Sequence, residues 1–201
     1  DDSMVLDDWI DDLESVMDAA GSAQAVVVGC SGGGPLSLLF AASRPERVVG
    51  LVLVNSYARF VRAPDYPIGV PAHVSEWGLQ YIEDGWGTGE HLEILAPSLA
   101  GDAQFRKWWA RYQRQALSPG SAAVIQRMLF DLDVRSVLPT VRTPTLVLHR
   151  VDDAFIRIAF GRFLADHLPN SRLVELPGSD HVFFGGDADA LVDEIEAFAT
   201  G

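Results

Sequence analysis

The sequence predicts an α/β fold in which helices cover both faces of a mostly parallel β-sheet. Short β-branched apolar runs alternate along the chain with segments of helical periodicity, which is the pattern of parallel strands joined by helices. The apolar runs are continuous rather than alternating, as expected for strands that are buried on both faces. Of the 201 residues, 48% are hydrophobic, which is enough apolar material for a sizeable core.

The first part of the chain contains two predicted helices and two predicted strands. Apolar residues recur at helical spacing over residues 6–17 and are followed by Gly21, which indicates an amphipathic helix and its end. Three further elements follow, namely a strand over 25–28, a helix over 35–43 and a strand over 48–54. This second helix is expected to end before Pro45, because proline disfavours helical geometry in the residue that precedes it.

Residues 57–139 differ in composition from the rest of the chain. Proline is repeated over residues 64–71, and aromatic residues are frequent after that. We interpret the whole segment as an all-helical cap, or lid, inserted into the sheet domain. The sheet domain itself would then consist of residues 1–56 and 140–201.

Alternation of strands and helices resumes after the cap. The sequence predicts a strand over 145–149, a helix over 158–168, a strand over 172–176 and a closing amphipathic helix over 188–198. In parallel sheets of this kind, ligands bind at the carboxyl ends of the strands. The residues directly after each strand are therefore the candidates for a functional site.

The charge and the cysteine content exclude several classes of function. The 15 Lys and Arg residues face 28 Asp and Glu residues, for a net charge of −13, which disfavours binding to nucleic acid or to anionic lipid. We expect a cytoplasmic protein, because acidic residues open the chain where a signal peptide needs basic ones, and because no apolar stretch is long enough to span a bilayer. The single cysteine excludes an internal disulfide, and no histidine pair has metal-ligand spacing, so neither a metal nor a cofactor is expected.

A Gly-x-Ser-x-Gly motif follows the first predicted strand, at Gly29, Ser31 and Gly33. A serine between a strand and a helix in this motif is typical of a nucleophile elbow, in which a sharp turn exposes the hydroxyl. The turn is expected to tolerate this strain because the residues two before and two after the serine lack side chains. The backbone N–H of Gly32, at the start of the helix, would then point towards a developing oxyanion.

Other glycine-loop functions do not fit this segment. A dinucleotide-binding loop needs glycine where Ser31 stands, and a phosphate-binding Walker loop needs a lysine, whereas Lys107 is the one lysine of the chain. Cys30 is expected to be a small buried hydrophobic residue rather than the nucleophile, because an elbow exposes its central residue.

A serine nucleophile needs a base, and the base needs a carboxylate that orients it. Asp152 and Asp153 follow the strand over 145–149, and either could supply the carboxylate. His181 lies in a glycine-containing loop after the last strand, whereas His149 closes a buried strand and is expected to be structural. The resulting order of serine, aspartate and histidine is the one found in α/β hydrolases.

Three segments carry a resemblance to the α/β-hydrolase family, namely GCSGGGP at 29–35, TPTLVLHRVDD at 143–153 and LPGSDH at 176–181. They resemble in particular the hydrolase domains of actinobacterial proteins that are often fused to class III adenylate or guanylate cyclases. The resemblance implies an α/β-hydrolase fold with a helical lid over essentially the whole chain. It also implies an attached or associated cyclase domain as a partner.

The resemblance assigns the site residues one by one. It makes Ser31 the nucleophile, His181 the base and Asp153 the acid. Asp153 is preferred to Asp152, because the family pattern places the acid three residues after the position that Arg150 holds here.

The activity implied by these residues is that of a serine hydrolase of carboxylic esters or related acyl compounds, which needs no cofactor. The aromatic cap favours a small apolar or acyl-containing substrate. A cofactor-free perhydrolase or a C–C bond hydrolase would use the same three residues. A protein of another class, a ligand-sensing module that regulates a cyclase domain, is the further alternative. Epoxide hydrolases and haloalkane dehalogenases are disfavoured, because they use aspartate where Ser31 stands.

The resemblance also implies that further strands and a loop with a second oxyanion-hole N–H precede residue 1. The strand over 25–28 has the sequence of a central strand, Ala-Val-Val-Val, yet it would be an edge without them. We therefore expect an N-terminally incomplete fold, either a fragment or a chain that completes its sheet by association.

Overall fold

The protein forms one four-stranded parallel sheet with helices on both faces. In the computed structural model, which describes residues 2–201 and the side chains from residue 6 onward, the strand order is β1-β2-β3-β4. The strands are β1 (Ala25–Cys30), β2 (Val48–Val54), β3 (Thr145–Arg150) and β4 (Ser171–Leu176). Every neighbouring pair is parallel. The predicted α/β fold and its strands are confirmed.

Eight helices accompany the sheet in the described residues. They are α1 (Asp2–Ala19), α2 (Gly33–Ser43), α3 (Ala72–Gly85), α4 (Leu92–Leu95), α5 (Ala103–Ala116), α6 (Pro119–Asp131), α7 (Ile158–His167) and α8 (Ala188–Thr200). Short 3-10 turns precede β2 at Pro45–Arg47, follow α4 at Pro97–Leu99 and precede β3 at Leu138–Thr140. Each helix predicted outside the cap is present, and α1 begins four residues earlier than the pattern over residues 6–17 predicts.

The two central strands show why the apolar runs are continuous. In β2, Leu51 and Leu53 face one side of the sheet and pack in a core with residues of α1, α2 and α7. Val52 and Val54 face the other side and pack with Leu191 of α8. All four of these strand residues are at most 1% exposed. Because successive side chains of a strand point to opposite faces, a strand that is covered on both sides needs apolar residues at every position.

The cap is helical except near its start, where the expectation of an all-helical segment is wrong. Isolated β-bridges join Arg59 to Asp133, Val61 to Val70 and Ala63 to Tyr66. The repeated proline explains the difference, since proline lacks the backbone N–H of a helix and restricts the residue before it. Helices α3, α4, α5 and α6 make up the rest of the segment.

Several aromatic residues near the cap form a second small core rather than an open surface. The rings of Phe60 and Phe130 stack with centroids 4.0 Å apart, and Tyr57, Tyr66 and Phe160 join the same cluster. Other cap aromatics remain exposed, as is Trp77 with 58% of its surface accessible. Much of the aromatic content of this segment therefore serves internal packing.

No helix in the described part of the chain has the length and apolar character needed to cross a membrane.

Strand β1 lies at the edge of the sheet, since among the described residues it pairs with β2 alone. Its residue Val28 is 45% exposed. Unpaired backbone groups of an apolar edge strand readily pair with another strand. That further strands of this protein lie next to β1 remains a prediction from the resemblance.

We expect the 201-residue chain to self-associate through the edge of β1, and Val28→Lys to weaken this association because a lysine on an edge strand opposes strand pairing. Sedimentation velocity at several concentrations measures the effect. Val124→Lys is the matched control, since Val124 lies on α6 and is 69% exposed. Indistinguishable sedimentation of the two variants would contradict association through β1.

Candidate active site

The carboxyl ends of the four strands bring the candidate residues to one edge of the sheet. Cys30 at the end of β1 pairs in register with Val54 at the end of β2, and Arg150 at the end of β3 pairs with Leu176 at the end of β4. Parallel strands in register end at the same edge. Residues that follow these strands are therefore neighbours, although they are far apart in the sequence.

Ser31 occupies the turn between β1 and α2 in the conformation that the motif predicts. Its φ angle is +51°, a left-handed conformation that is strained for a residue with a side chain. Its N–H donates to Val54 O at 2.9 Å, and its carbonyl accepts from Ser56 Oγ at 2.7 Å. These bonds hold the strained turn against the end of β2.

The glycines around Ser31 do not all act as the sequence suggests. A Cβ at Gly29 would lie 2.5 Å from Ser37 Oγ, and one at Gly34 would lie 1.8 Å from Ser56 Oγ, so both positions require glycine. A Cβ at Gly33 would meet nothing within 4 Å. The expectation that the residue two after the serine must lack a side chain is therefore wrong, and Gly34 is the position that close packing against β2 restricts.

Gly32 is the N-cap of α2. Its N–H belongs to the first-turn amides that no carbonyl of the helix accepts. The amino end of a helix carries partial positive charge, which favours an anion nearby. That the Gly32 N–H donates to an oxyanion stays a prediction.

His181 and Asp153 form a direct hydrogen bond. His181 Nδ1 lies 2.8 Å from Asp153 Oδ2, and the Asp153 carboxyl group is fully buried. The other oxygen, Asp153 Oδ1, accepts from the N–H groups of Phe155 at 2.8 Å and Ile156 at 2.9 Å. Three donors therefore hold the carboxylate in place, and they compensate for its removal from water.

Asp152, the alternative carboxylate, is exposed and makes no side-chain contact with His181. Its backbone N–H donates to Gly178 O at 3.1 Å. The structure therefore brings Asp153, and not Asp152, to the histidine. Within the described residues, the Ser31 hydroxyl makes no hydrogen bond to the His181 ring, and bonds of this kind often tighten only when substrate is bound.

Asn55 and Ser56 connect the serine turn to the histidine loop, and the sequence analysis missed both. Asn55 has a φ of +45° and is 1% exposed. Its Nδ2 donates to His181 O at 2.8 Å, and its Oδ1 accepts from Arg150 N at 3.0 Å. The available signal was two polar residues directly after the apolar strand β2, which is the same signal that identified Ser31 and Asp153.

The cap contacts the segment that carries His181. The N–H groups of His181 and Val182 both donate to Leu95 O, at 2.9 and 3.0 Å. The carboxylate of Asp180 accepts from Ser98 N at 2.9 Å and from Ser98 Oγ at 2.6 Å. Four hydrogen bonds thus join cap residues 95–98 to the residues on both sides of the histidine side chain.

Two groups near Ser31 and Asp153 are held in their neutral forms, namely the partly buried Cys30 thiol and the buried His149 ring. Burial raises the pKa of the Cys30 thiol to about 11, so this cysteine is protonated and a poor nucleophile at neutral pH. Burial likewise lowers the pKa of His149, whose Nε2 lies 2.7 Å from Ile156 O. His149 is a core residue, and the described residues contain no cluster of three or more His, Cys, Asp or Glu side chains that could hold a metal ion.

A strained serine at a strand-to-helix turn, followed along the chain by an aspartate and a histidine that bind each other, is the arrangement of α/β hydrolases. The family model of the alpha/beta hydrolase family matches residues 1–194 of the chain. The chain belongs to the alpha/beta hydrolase family.

Its relatives include esterases. The chain is 31% identical to the pimeloyl-[acyl-carrier protein] methyl ester esterase of Stenotrophomonas maltophilia (strain K279a) over 187 residues, which cover 90% of this chain and 71% of that protein. It is 28% identical to the putative carbamate hydrolase RutD of Caulobacter sp. (strain K31) over 205 residues, which cover 95% of this chain and 71% of that protein. The chain is an enzyme of this family.

Solved structures agree on the fold. A hydrolase from Oleispira antarctica superposes with a TM-score of 0.82 at 17% identity, covering 96% of this chain and 71% of that one. An esterase from Exiguobacterium antarcticum superposes with a TM-score of 0.79 at 18% identity, and the match covers 96% of this chain and 72% of that one. At these identities the likeness shows the α/β-hydrolase fold alone.

We expect Ser98→Ala to lower the free energy of unfolding by about 1.5–3 kcal/mol, because a charge-assisted hydrogen bond to the buried Asp180 carboxylate is lost. Urea denaturation measures this change. Ser43→Ala is the matched control, since the exposed Ser43 hydroxyl bonds to Leu39 O of its own helix. Equal unfolding free energies for the two variants would show that the cap contact does not stabilise the histidine segment.

Proposed function

We propose that the protein is a serine hydrolase that cleaves carboxylic esters or related acyl compounds through an acyl-enzyme. The hydrogen bond between His181 and Asp153, at the same sheet edge as the strained Ser31 turn, is the observation that carries this proposal. The names of the curated relatives, an ester esterase and a carbamate hydrolase, support the same class of reaction.

Ser31 is the nucleophile in this mechanism. His181 Nε2 removes the proton from Ser31 Oγ, which attacks the carbonyl carbon of the ester, while Asp153 fixes the ring and stabilises its protonated form. The carbonyl oxygen becomes an oxyanion, to which the Gly32 N–H donates. His181 then returns the proton to the leaving alcohol, and the acyl group stays on Ser31.

Water completes the cycle. His181 removes a proton from a water molecule, the resulting hydroxide attacks the acyl carbonyl, and the acid product leaves as Ser31 regains its proton. No step needs a metal or an organic cofactor.

The side chains beside the assigned residues favour an apolar acyl group. Leu129 of α6 lies so close to Gly32 that a Cβ there would be 2.7 Å from its Cδ1. The rings of Phe155 and His181 pack edge to face with centroids 4.8 Å apart. Apolar side chains next to Gly32 and His181 bind hydrocarbon better than charge.

The alternatives of a perhydrolase, a C–C bond hydrolase or a sensor that regulates a cyclase domain differ in what they require of Ser31. The first two use the activated hydroxyl on other substrates. A sensor binds ligand without needing an activated serine, so reaction with a fluorophosphonate separates it from the enzymes.

We expect Ser31→Ala to fold normally, to lose at least about 10³-fold in the hydrolysis of short-chain esters and to lose labelling by a fluorophosphonate, since residues of a catalytic triad act as a unit. Cys30→Ala is the control and keeps both, because the neighbouring thiol takes no part. Retained hydrolysis in Ser31→Ala would disprove the assignment of the nucleophile.

We expect Asp153→Asn to lower kcat by roughly 10²–10⁴-fold, because the amide cannot stabilise the protonated ring. The loss should be smaller than that of Ser31→Ala and much larger than that of Asp152→Asn, which changes an exposed side chain. Steady-state kinetics of the three variants provide the comparison. A larger loss in Asp152→Asn would assign the acid to that residue instead.

A further inference from the structure

Arg150, the last residue of β3, is the largest of the fully buried side chains, at 1% exposure. It forms no ion pair with a carboxylate in the described part of the chain. A buried charge without a counter-ion is costly unless hydrogen bonds replace its hydration. This cost indicates that neighbouring groups replace the water that would otherwise bind the guanidinium.

Backbone carbonyl groups of one loop surround the Arg150 guanidinium. Nη1 donates to Asp180 O at 2.8 Å and to Val182 O at 2.9 Å. Nη2 donates to Gly185 O at 2.5 Å. Nη2 also makes longer contacts, to Asp187 O at 3.3 Å and to Phe183 O at 3.5 Å.

This loop, residues 177–187, has neither helix nor strand pairing to satisfy its backbone. Buried carbonyl groups need donors, and a guanidinium offers five N–H groups in one plane. The loop wraps around the side chain at two glycines with positive φ, Gly178 and Gly186. A Cβ at Gly178 would lie 3.6 Å from Arg150 Cδ, and one at Gly186 would lie 3.9 Å from Arg150 Cζ.

The two shortest contacts of Nη1 are to the residues on either side of His181. Fixing the carbonyl groups of Asp180 and Val182 fixes the direction in which the side chain between them leaves the backbone. Asn55 Nδ2 donates to the carbonyl between them, His181 O. All three consecutive carbonyl groups are therefore held from the end of the sheet.

We propose that Arg150 is a positioning residue, whose guanidinium holds the His181 backbone so that the ring stays bonded to Asp153 and turned towards Ser31. The inference rests on the proposed function for the role of His181 as base. It assigns to the last residue of β3 a role in catalysis through the loop rather than through contact with substrate.

The test compares Arg150→Met, which keeps the bulk and removes every donor, with Arg150→Lys, which keeps the charge and offers a single ammonium. We expect Arg150→Met to lower kcat for a short-chain ester by roughly 10²-fold, the cost of a small misplacement of a catalytic group. The KM should change by less than about threefold, because no substrate contact is lost. The kcat of Arg150→Lys should lie between that of Arg150→Met and that of the original protein. Arg162→Met is the control, since Arg162 pairs with Glu175 on the surface.

A second readout follows the histidine itself and does not depend on ester hydrolysis. The proton between His181 Nδ1 and Asp153 gives a downfield NMR resonance, which we expect to weaken or vanish in folded Arg150→Met and to persist in Arg162→Met. Adding methylguanidinium to Arg150→Ala should restore the resonance and the rate, because the ion can occupy the cradle of carbonyl groups.

A normal kcat together with an unchanged resonance in folded Arg150→Met would overturn the proposal. A lower stability of Arg150→Met with the resonance intact would overturn it as well. Should Arg150→Met fail to fold, Arg150→Lys decides by the same two readouts. If the original protein hydrolyses no ester, the proposed function fails, whereas the resonance still shows whether Arg150 positions His181.

Discussion

The shared register of the four parallel strands is the constraint on which the rest of the structure depends. The ends of β1 and β2 are aligned through Cys30 and Val54, and those of β3 and β4 through Arg150 and Leu176. The backbone hydrogen bonds between neighbouring parallel strands fix that alignment. Residues that are more than a hundred positions apart meet at one edge for this reason.

The histidine segment is held from three directions at that edge. Asn55, at the end of β2, binds the carbonyl of His181, and Arg150 binds those of the residues on either side. From the cap, Leu95 accepts from the N–H of His181, and Ser98 donates to the carboxylate of Asp180. Residues 95–98 therefore bond directly to the segment that carries the proposed base.

Buried polar groups make this arrangement stable in one geometry. The carboxylate of Asp153 accepts three hydrogen bonds, and the guanidinium of Arg150 donates to a run of carbonyl groups. Removing one partner would leave a buried polar group short of a hydrogen bond, which costs more than the bond contributes when it is present. Networks of this kind favour a single conformation, and a catalytic site needs its groups held in one place.

Much of the fold was readable from local pattern. The strand over 48–54 was predicted to the residue, and the order of Ser31, Asp153 and His181 pointed to one site, because apolar runs and glycine turns are properties of short segments. Local pattern did not predict the path of the chain over 59–70. It also did not predict that packing requires glycine at Gly34 rather than at Gly33.

The sequence by itself determined which residues could form strands and which polar residues follow them. The residues alone left Asp152 and Asp153 open, and the resemblance preferred Asp153. Only the tertiary structure showed that Asp153 meets His181 and that Asn55 and Arg150 hold the loop. Neighbouring carboxylates look alike in a sequence, and a buried arginine looks like an exposed one. Which of them is enclosed depends on contacts between strands that the chain brings together only when it folds.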